Sequence, residues 1–248
     1  MYLLSPELLM LLAVVALFTG FVKAGMPALG GLISAVVALV FSPREALGIC
    51  LIYLLVGDCV AVSFYWRQAH LSELKKMIMP VFTGIVIGGV MLSFLDDRNL
   101  GLAIGLTVMF LVSLEPLRPK LTELAIYYPK SVRTGSGLFA GVSTTIGNAA
   151  GPITALYFLL LKLDKKTFVG TSSIFFLTVN TTKLPIFYYQ DLFTAAYFPS
   201  IAITAPLVYV GAILGRSFLN WVSQVWFTRI ILAGTAIAGI WLIVRYFL

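Results

Sequence analysis

Charge is scarce in this sequence. Only 11% of its 248 residues are Asp, Glu, Lys or Arg, against about 25% in a soluble domain. Hydrophobic residues make up 60% and the mean hydropathy is +1.01. A chain so poor in charge cannot cover a water-facing surface, which excludes a soluble globular protein and leaves lipid as the expected solvent. Histidine occurs once, at His70, beside Glu73, Lys75 and Lys76. One histidine cannot build a histidine-rich metal site, so it reads as a solvated loop residue, and no metal is expected. The two cysteines, Cys50 and Cys59, share one apolar stretch. On a helix their spacing corresponds to roughly 13 Å of rise, too far for a disulfide, and both read as buried thiols. No Gly-x-Ser-x-Gly elbow, P-loop or carboxylate pair is present. Neither an enzyme, a cofactor nor direct use of ATP is therefore expected. No Lys or Arg precedes Lys23, so the first apolar stretch lacks a basic n-region and is expected to be retained.

The charge that is present is mostly positive: net +7, with a pI near 9.5. In a soluble protein this would point to nucleic acid. Here the cations sit in short loops between apolar runs, as the positive-inside bias requires, and nucleic acid is not an expected partner. Tyr65, Trp66, Tyr188, Tyr189, Trp221, Trp226 and Tyr246 fall at the ends of apolar runs, like an interfacial aromatic belt.

Six stretches are long enough to cross about 30 Å of hydrocarbon: 46–66, 77–95, 99–115, 167–184, 195–215 and 226–247. Two further regions are apolar but interrupted. Residues 3–41 are broken at 20–31 by Gly-Phe-Val-Lys-Ala-Gly-Met-Pro-Ala-Leu-Gly-Gly. Residues 135–161 are broken at 141–152 by Gly-Val-Ser-Thr-Thr-Ile-Gly-Asn-Ala-Ala-Gly-Pro. Pro and clustered Gly are poor in a helix interior. Unwound backbone at membrane depth is tolerated only inside protein or along a wet cavity. These regions read as broken helical hairpins that re-enter the membrane.

The halves resemble each other at an offset of 122 residues: Gly48 with Gly170, Trp66 with Tyr188, Gln68 with Gln190, Gly89 with Gly211. The two breaks fall in register to within a residue or two. If each broken region is a hairpin, eleven loop cations collect on one face and three on the other; if the second crosses fully, the division is eight to six. The positive-inside rule prefers hairpins. The expected fold is therefore an all-α polytopic membrane protein built as an inverted repeat, each half having three transmembrane helices plus a re-entrant hairpin. Its parts are residues 1–115, a cytoplasmic linker at 116–134, and residues 135–248, with both termini periplasmic.

Inverted repeats with discontinuous helices are a recurring transporter design. Helix N-termini meeting at mid-membrane offer unpaired N–H groups and positive dipole ends to an anion. The candidate substrate-binding residues are Lys23, Gly25, Pro27, Gly30 and Gly31 in the first break. In the second they are Thr144, Thr145, Gly147, Asn148, Gly151 and Pro152, with Asn180 and Lys183 further on. The glycines would let backbone approach a ligand closely; alternatively they serve helix packing. Asp58 lies within a span, where ionisable groups are costly and usually functional, and is the candidate ion-coupling residue. Its counterpart at the repeat offset is Asn180. The alternatives are that Asp58 forms a structural ion pair and that Lys183, near a helix end, extends to the surface.

The two broken stretches, together with Leu-Asp-Lys-Lys-Thr-Phe-Val-Gly-Thr at 163–171, resemble the sulfite exporter TauE/SafE family, and the similarity runs along nearly the whole chain. The resemblance implies a bacterial inner-membrane permease that exports sulfite or small organosulfonates. The expected partners are then a small anion and the lipid bilayer, with a homodimer left open. The alternatives are an anion channel and a membrane scaffold or enzyme subunit that needs a partner chain.

Overall fold

The computed structural model describes residues 5–38, 40–96, 99–100, 127–161 and 163–223, with isolated positions at 102–123 and 225–244. Among the described residues all regular structure is helical. The expected spans at 99–115 and 226–247 and most of the 116–134 linker lie outside the continuously described residues.

Helix α1 (Pro6–Gly25) leads through a 3-10 turn (Pro27–Leu29) into α2 (Gly30–Val37). Helices α3 (Pro43–Tyr65) and α4 (Leu71–Phe94) follow. Then come α5 (Pro129–Gly147), α6 (Gly151–Leu160), α7 (Lys165–Tyr189), α8 (Phe198–Thr204) and α9 (Pro206–Trp221). The starts are written in the sequence. The Ser5 side chain accepts from the Leu8 N–H ahead of α1, with Pro6 in the first turn. Ser42 and Glu45 close a capping box on α3. Asp164 caps α7; the Thr167 hydroxyl and the backbone N–H groups of Lys166 and Thr167 donate to its carboxylate and hold its pKa below the ordinary value.

Among the described residues, three helical stretches are long and apolar enough to cross a membrane: Pro6–Gly25, Pro43–Gln68 and Leu71–Phe94. The chain is thus a multi-pass membrane protein. The span expected at 195–215 is not one straight helix. Residues Ala195–Thr204 and Pro206–Trp221 meet at 49°, because Pro206 has no N–H to continue the ladder. Helix α7 has 25 residues, long enough to span, but buries Thr171, Ser172, Ser173, Asn180 and Lys183. That polarity suits a helix enclosed by its neighbours.

Both expected breaks are present and narrower than the sequence indicates. The first occupies Met26–Leu29 and the second Asn148–Ala150. Gly20 and Gly141 are helical packing positions: a Cβ would lie 1.9 Å from Val208 O at Gly20 and 2.2 Å from Val81 O at Gly141. Their lack of a side chain lets α1 approach α9 and lets α5 approach α4. Gly20→Ala and Gly141→Ala should each cost about 1–3 kcal/mol and lower the thermal unfolding midpoint in detergent. Gly30→Ala should leave it in place, since a Cβ there meets nothing closer than 4.0 Å.

The cysteines correct the sequence reading. Cys50 is buried and Cys59 is exposed. Their spacing is about two and a half turns, which puts them on opposite faces of α3, so one helix face cannot bury both. His70 is exposed, as expected, and precedes α4.

Advancing the first helices by 122 positions carries 6–25 to 128–147, 30–37 to 152–159 and 43–65 to 165–187. These ranges fall on α5, α6 and α7. Packing follows the same correspondence: α1 lies along α9, α5 along α4, and α3 against α7. The α3–α7 seam runs through the centre and carries the polar residues described next.

Candidate buried anion site

Asn180 and Lys183 stand three residues apart on α7 and so share one face, which Phe176 and Phe187 extend at helical spacing. Lys23 comes from the last turn of α1 and Asp58 from within α3. Lys23 Nζ lies 2.7 Å from Asp58 Oδ1, and Asn180 Nδ2 donates to Asp58 Oδ2 at 2.6 Å. The two residues matched by the repeat offset are thus hydrogen-bonded to each other. Lys23 Nζ also sits 4.4 Å above the centre of the Phe176 ring, a favourable place for a cation. Gly57 makes room for the lysine stem, since a Cβ there would lie 2.9 Å from Lys23 Cγ.

Lys183 has a different environment. Its Nζ donates to Asn148 Oδ1 at 2.6 Å, and to Thr144 O and Thr144 Oγ1 at 3.1 Å each. All three acceptors are neutral. Lys183 and Asp58 are 0% exposed, Asn180 is 1% and Lys23 is 2%, so water does not offset these charges. Lys183 therefore does not reach the surface. Among the described residues, two lysines share one close carboxylate, and that carboxylate belongs to Lys23.

The second break positions Asn148. It ends α5 in the left-handed region at φ 54°, a conformation that a short polar side chain tolerates. The Asn148 N–H donates to Thr144 O at 2.9 Å, and the Ala149 N–H to Ser143 O at 3.2 Å. The turn aims the carboxamide across the protein: Oδ1 accepts from Lys183, and Nδ2 donates to Ser34 Oγ of α2 at 3.1 Å. The first turn of α2 meets the second break, since a Cβ on Gly31 would lie 3.5 Å from Ala149 Cα.

Lys23, Asp58 and Asn180 thus form one group, and Lys183, Thr144 and Asn148 a second; the shared face of α7 joins them. Gly30 begins α2, Gly31 faces the second break, and Gly147 and Gly151 flank that break. Pro27 starts the 3-10 turn and Pro152 lies in the first turn of α6. Two candidates point elsewhere. A Cβ on Gly25 would lie 2.9 Å from Gly215 O, so Gly25 packs α1 on α9. The Thr145 hydroxyl donates to Gly141 O at 2.9 Å, and its side chain lies against Gly88 of α4. Ser34, Gly57 and Phe176 belong to the cluster and were missed; for Phe176 the signal was its spacing four residues before Asn180.

The cluster is thus a buried set of two lysine amines, one carboxylate, two side-chain amides and a threonine hydroxyl, next to the second break. No curated protein and no solved structure gives a significant match to this chain. A sequence model for the sulfite exporter TauE/SafE family matches residues 12–242, which includes both breaks and every candidate site residue. The chain belongs to the sulfite exporter TauE/SafE family, a family of membrane transporters.

Proposed function

We propose that this protein is a secondary transporter that moves sulfite or a small organosulfonate out across the bacterial inner membrane, binding the anion between the two breaks. One observation carries the reading. Lys183 is fully buried, its hydrogen bonds go only to neutral oxygens, and the Phe187 ring lies 5.4 Å from its Nζ, with no carboxylate in ion-pair contact among the described residues. A buried charge without a counter-charge is costly, and an arriving anion removes that cost. The Gly30 N–H at the start of α2 is taken by Pro27 O, whereas the first turn of α6, which follows the second break, would add N–H donors and a positive dipole end. In this reading residues 1–115 and 135–248 are inverted halves joined by a cytoplasmic linker at 116–134, with both termini periplasmic. The eleven-to-three division of loop cations supports that orientation. Lys23 and Asp58 couple the anion to an ion gradient.

Sulfite flux into vesicles holding the purified protein tests this. Saturable flux, reduced by Asn148→Ala, is the expected result. Flux that never saturates and follows voltage alone would indicate a channel. Absent flux, with a second chain that co-purifies, would indicate a scaffold.

Alternating access requires closure at each end of the site, and a Tyr–Glu hydrogen bond lies near each. Tyr197 OH donates to Glu45 Oε1 at 2.7 Å, with the Phe41 ring edge-on to Tyr197 at 5.2 Å. At the other end of α3, Tyr157 OH of α6 donates to Glu73 Oε2 at 3.0 Å, and Lys76 holds Glu73 Oε1 at 2.6 Å. Tyr157→Phe should open its end more often. In a Cys59→Ser background, Cys50 should then react about fivefold faster with a small thiol reagent, the effect of losing roughly 1 kcal/mol of hydrogen bond. An unchanged rate would remove Tyr157 from any gating role.

A further inference from the structure

Between α4 and α7, away from the buried cluster, lies a groove enclosing about 180 Å³. Ile78, Phe82 and Ile85 of α4 face Phe175, Thr178 and Thr182 of α7 across it. The threonines leave it apolar: Thr178 Oγ1 donates to Ile174 O at 2.9 Å and Thr182 Oγ1 to Thr178 O at 2.8 Å, so only their methyl groups are free. The cationic group at the rim is Lys75. It is exposed and has no hydrogen bond or ion pair among the described residues, whereas its neighbour Lys76 is held by Glu73.

The groove has the length of one lipid leaflet. From Lys75 at its rim to Ile85 it follows α4 for about 15 Å of helix, half of a ~30 Å hydrocarbon core. Helices α4 and α7 enter from the same face, since the His70 N–H donates to Thr171 Oγ1 at 2.9 Å. Lys75 therefore stands at one membrane surface while Ile85 and Thr182 lie towards the midplane. On the orientation proposed above, that surface is the cytoplasmic one, whose leaflet carries anionic lipid.

We propose that this groove is a phospholipid site: one acyl chain lies between α4 and α7, and the anionic head group pairs with Lys75. Charge complementarity at the rim and the one-leaflet depth select an anionic phospholipid. A small anion would leave the apolar wall unfilled. The lipid would bear on the transport site through one contact, because Phe175 lines the groove and its ring lies 5.3 Å from that of Phe176, over which Lys23 sits.

Native mass spectrometry of the full, delipidated chain with added phosphatidylglycerol or phosphatidylcholine of identical acyl composition tests this. Wild type should retain one phosphatidylglycerol with about fivefold preference, the effect of one lysine at a head group. Lys75→Gln should equalise the two lipids, and Thr178→Phe, which fills the groove, should lose both. Lys166→Gln, an exposed cation at the same face, should change nothing. Absence of a preference in wild type, a preference that survives Lys75→Gln, or retention in Thr178→Phe each overturns the proposal. If Thr178→Phe lowers the thermal midpoint, Thr178→Leu takes its place with the same required outcome. No transported anion is present in this measurement, so its failure leaves the transport reading standing, and failure of the flux assay leaves the lipid site standing.

Discussion

Lys183→Met should abolish most saturable anion flux while leaving the protein folded. The side chain is 0% exposed, and its ammonium touches Asn148 Oδ1, Thr144 O and Thr144 Oγ1. In the empty protein these hydrogen bonds offset the removal of a charge from water only in part, and replacing a buried ion by an apolar side chain of similar volume is often neutral or stabilising. With the anion bound the balance reverses, because the ammonium is then one half of a buried charge pair, and truncating such a pair costs about 2–5 kcal/mol. Flux at sub-saturating sulfite should fall roughly 100-fold, while the thermal midpoint holds or rises. Loss of both flux and folding would make Lys183 a structural residue. Undiminished flux would place the anion elsewhere.

The second large effect concerns coupling. Asp58 is shared by Lys23 at 2.7 Å and Asn180 at 2.6 Å. While the carboxylate is ionised, its charge offsets that of Lys23, and Lys183 has only neutral hydrogen-bond acceptors among the described residues. Protonating Asp58 would release Lys23 as a second positive charge beside the site, so a proton and an anion would load together. Wild-type vesicles should therefore accumulate sulfite when the loading side is made acidic. Asp58→Asn should transport at a rate independent of the pH gradient. That variant leaves Lys23 buried without its counter-charge, at a cost of about 3–5 kcal/mol, so the double variant Lys23→Met/Asp58→Asn provides the control. It should recover the thermal midpoint and still lack pH dependence. Full proton coupling in either variant would reduce the Lys23–Asp58 pair to a structural tie.

The breaks show how far local chemistry is legible. Met26-Pro27 and Asn148-Ala149-Ala150-Gly151-Pro152 interrupt helices because proline lacks an N–H and Asn148 tolerates the left-handed region. The glycines around them looked alike in sequence and do different things. Gly31 lies against the other break, whereas Gly20, Gly25 and Gly141 hold helices together, a distinction that depends on which helix lies opposite. The cause of the bend at Pro206 stands in the sequence, but the length of the apolar run at 195–215 reads as one straight span. Ser34 and Gly57 carry no local signal at all, since each matters only through a residue far along the chain that it meets.

The sequence by itself determined that lipid surrounds this protein, where its helices begin and break, and that Asp58 and Asn180 occupy corresponding places in two halves. Those properties follow from composition, capping and spacing, which act over one or two turns of chain. Only the tertiary structure decided that Asp58 is taken by Lys23 while Lys183, among the described residues, has no carboxylate in ion-pair contact. Which cation is left over depends on distances between helices, and in a dry interior those distances set how strongly each charge is felt.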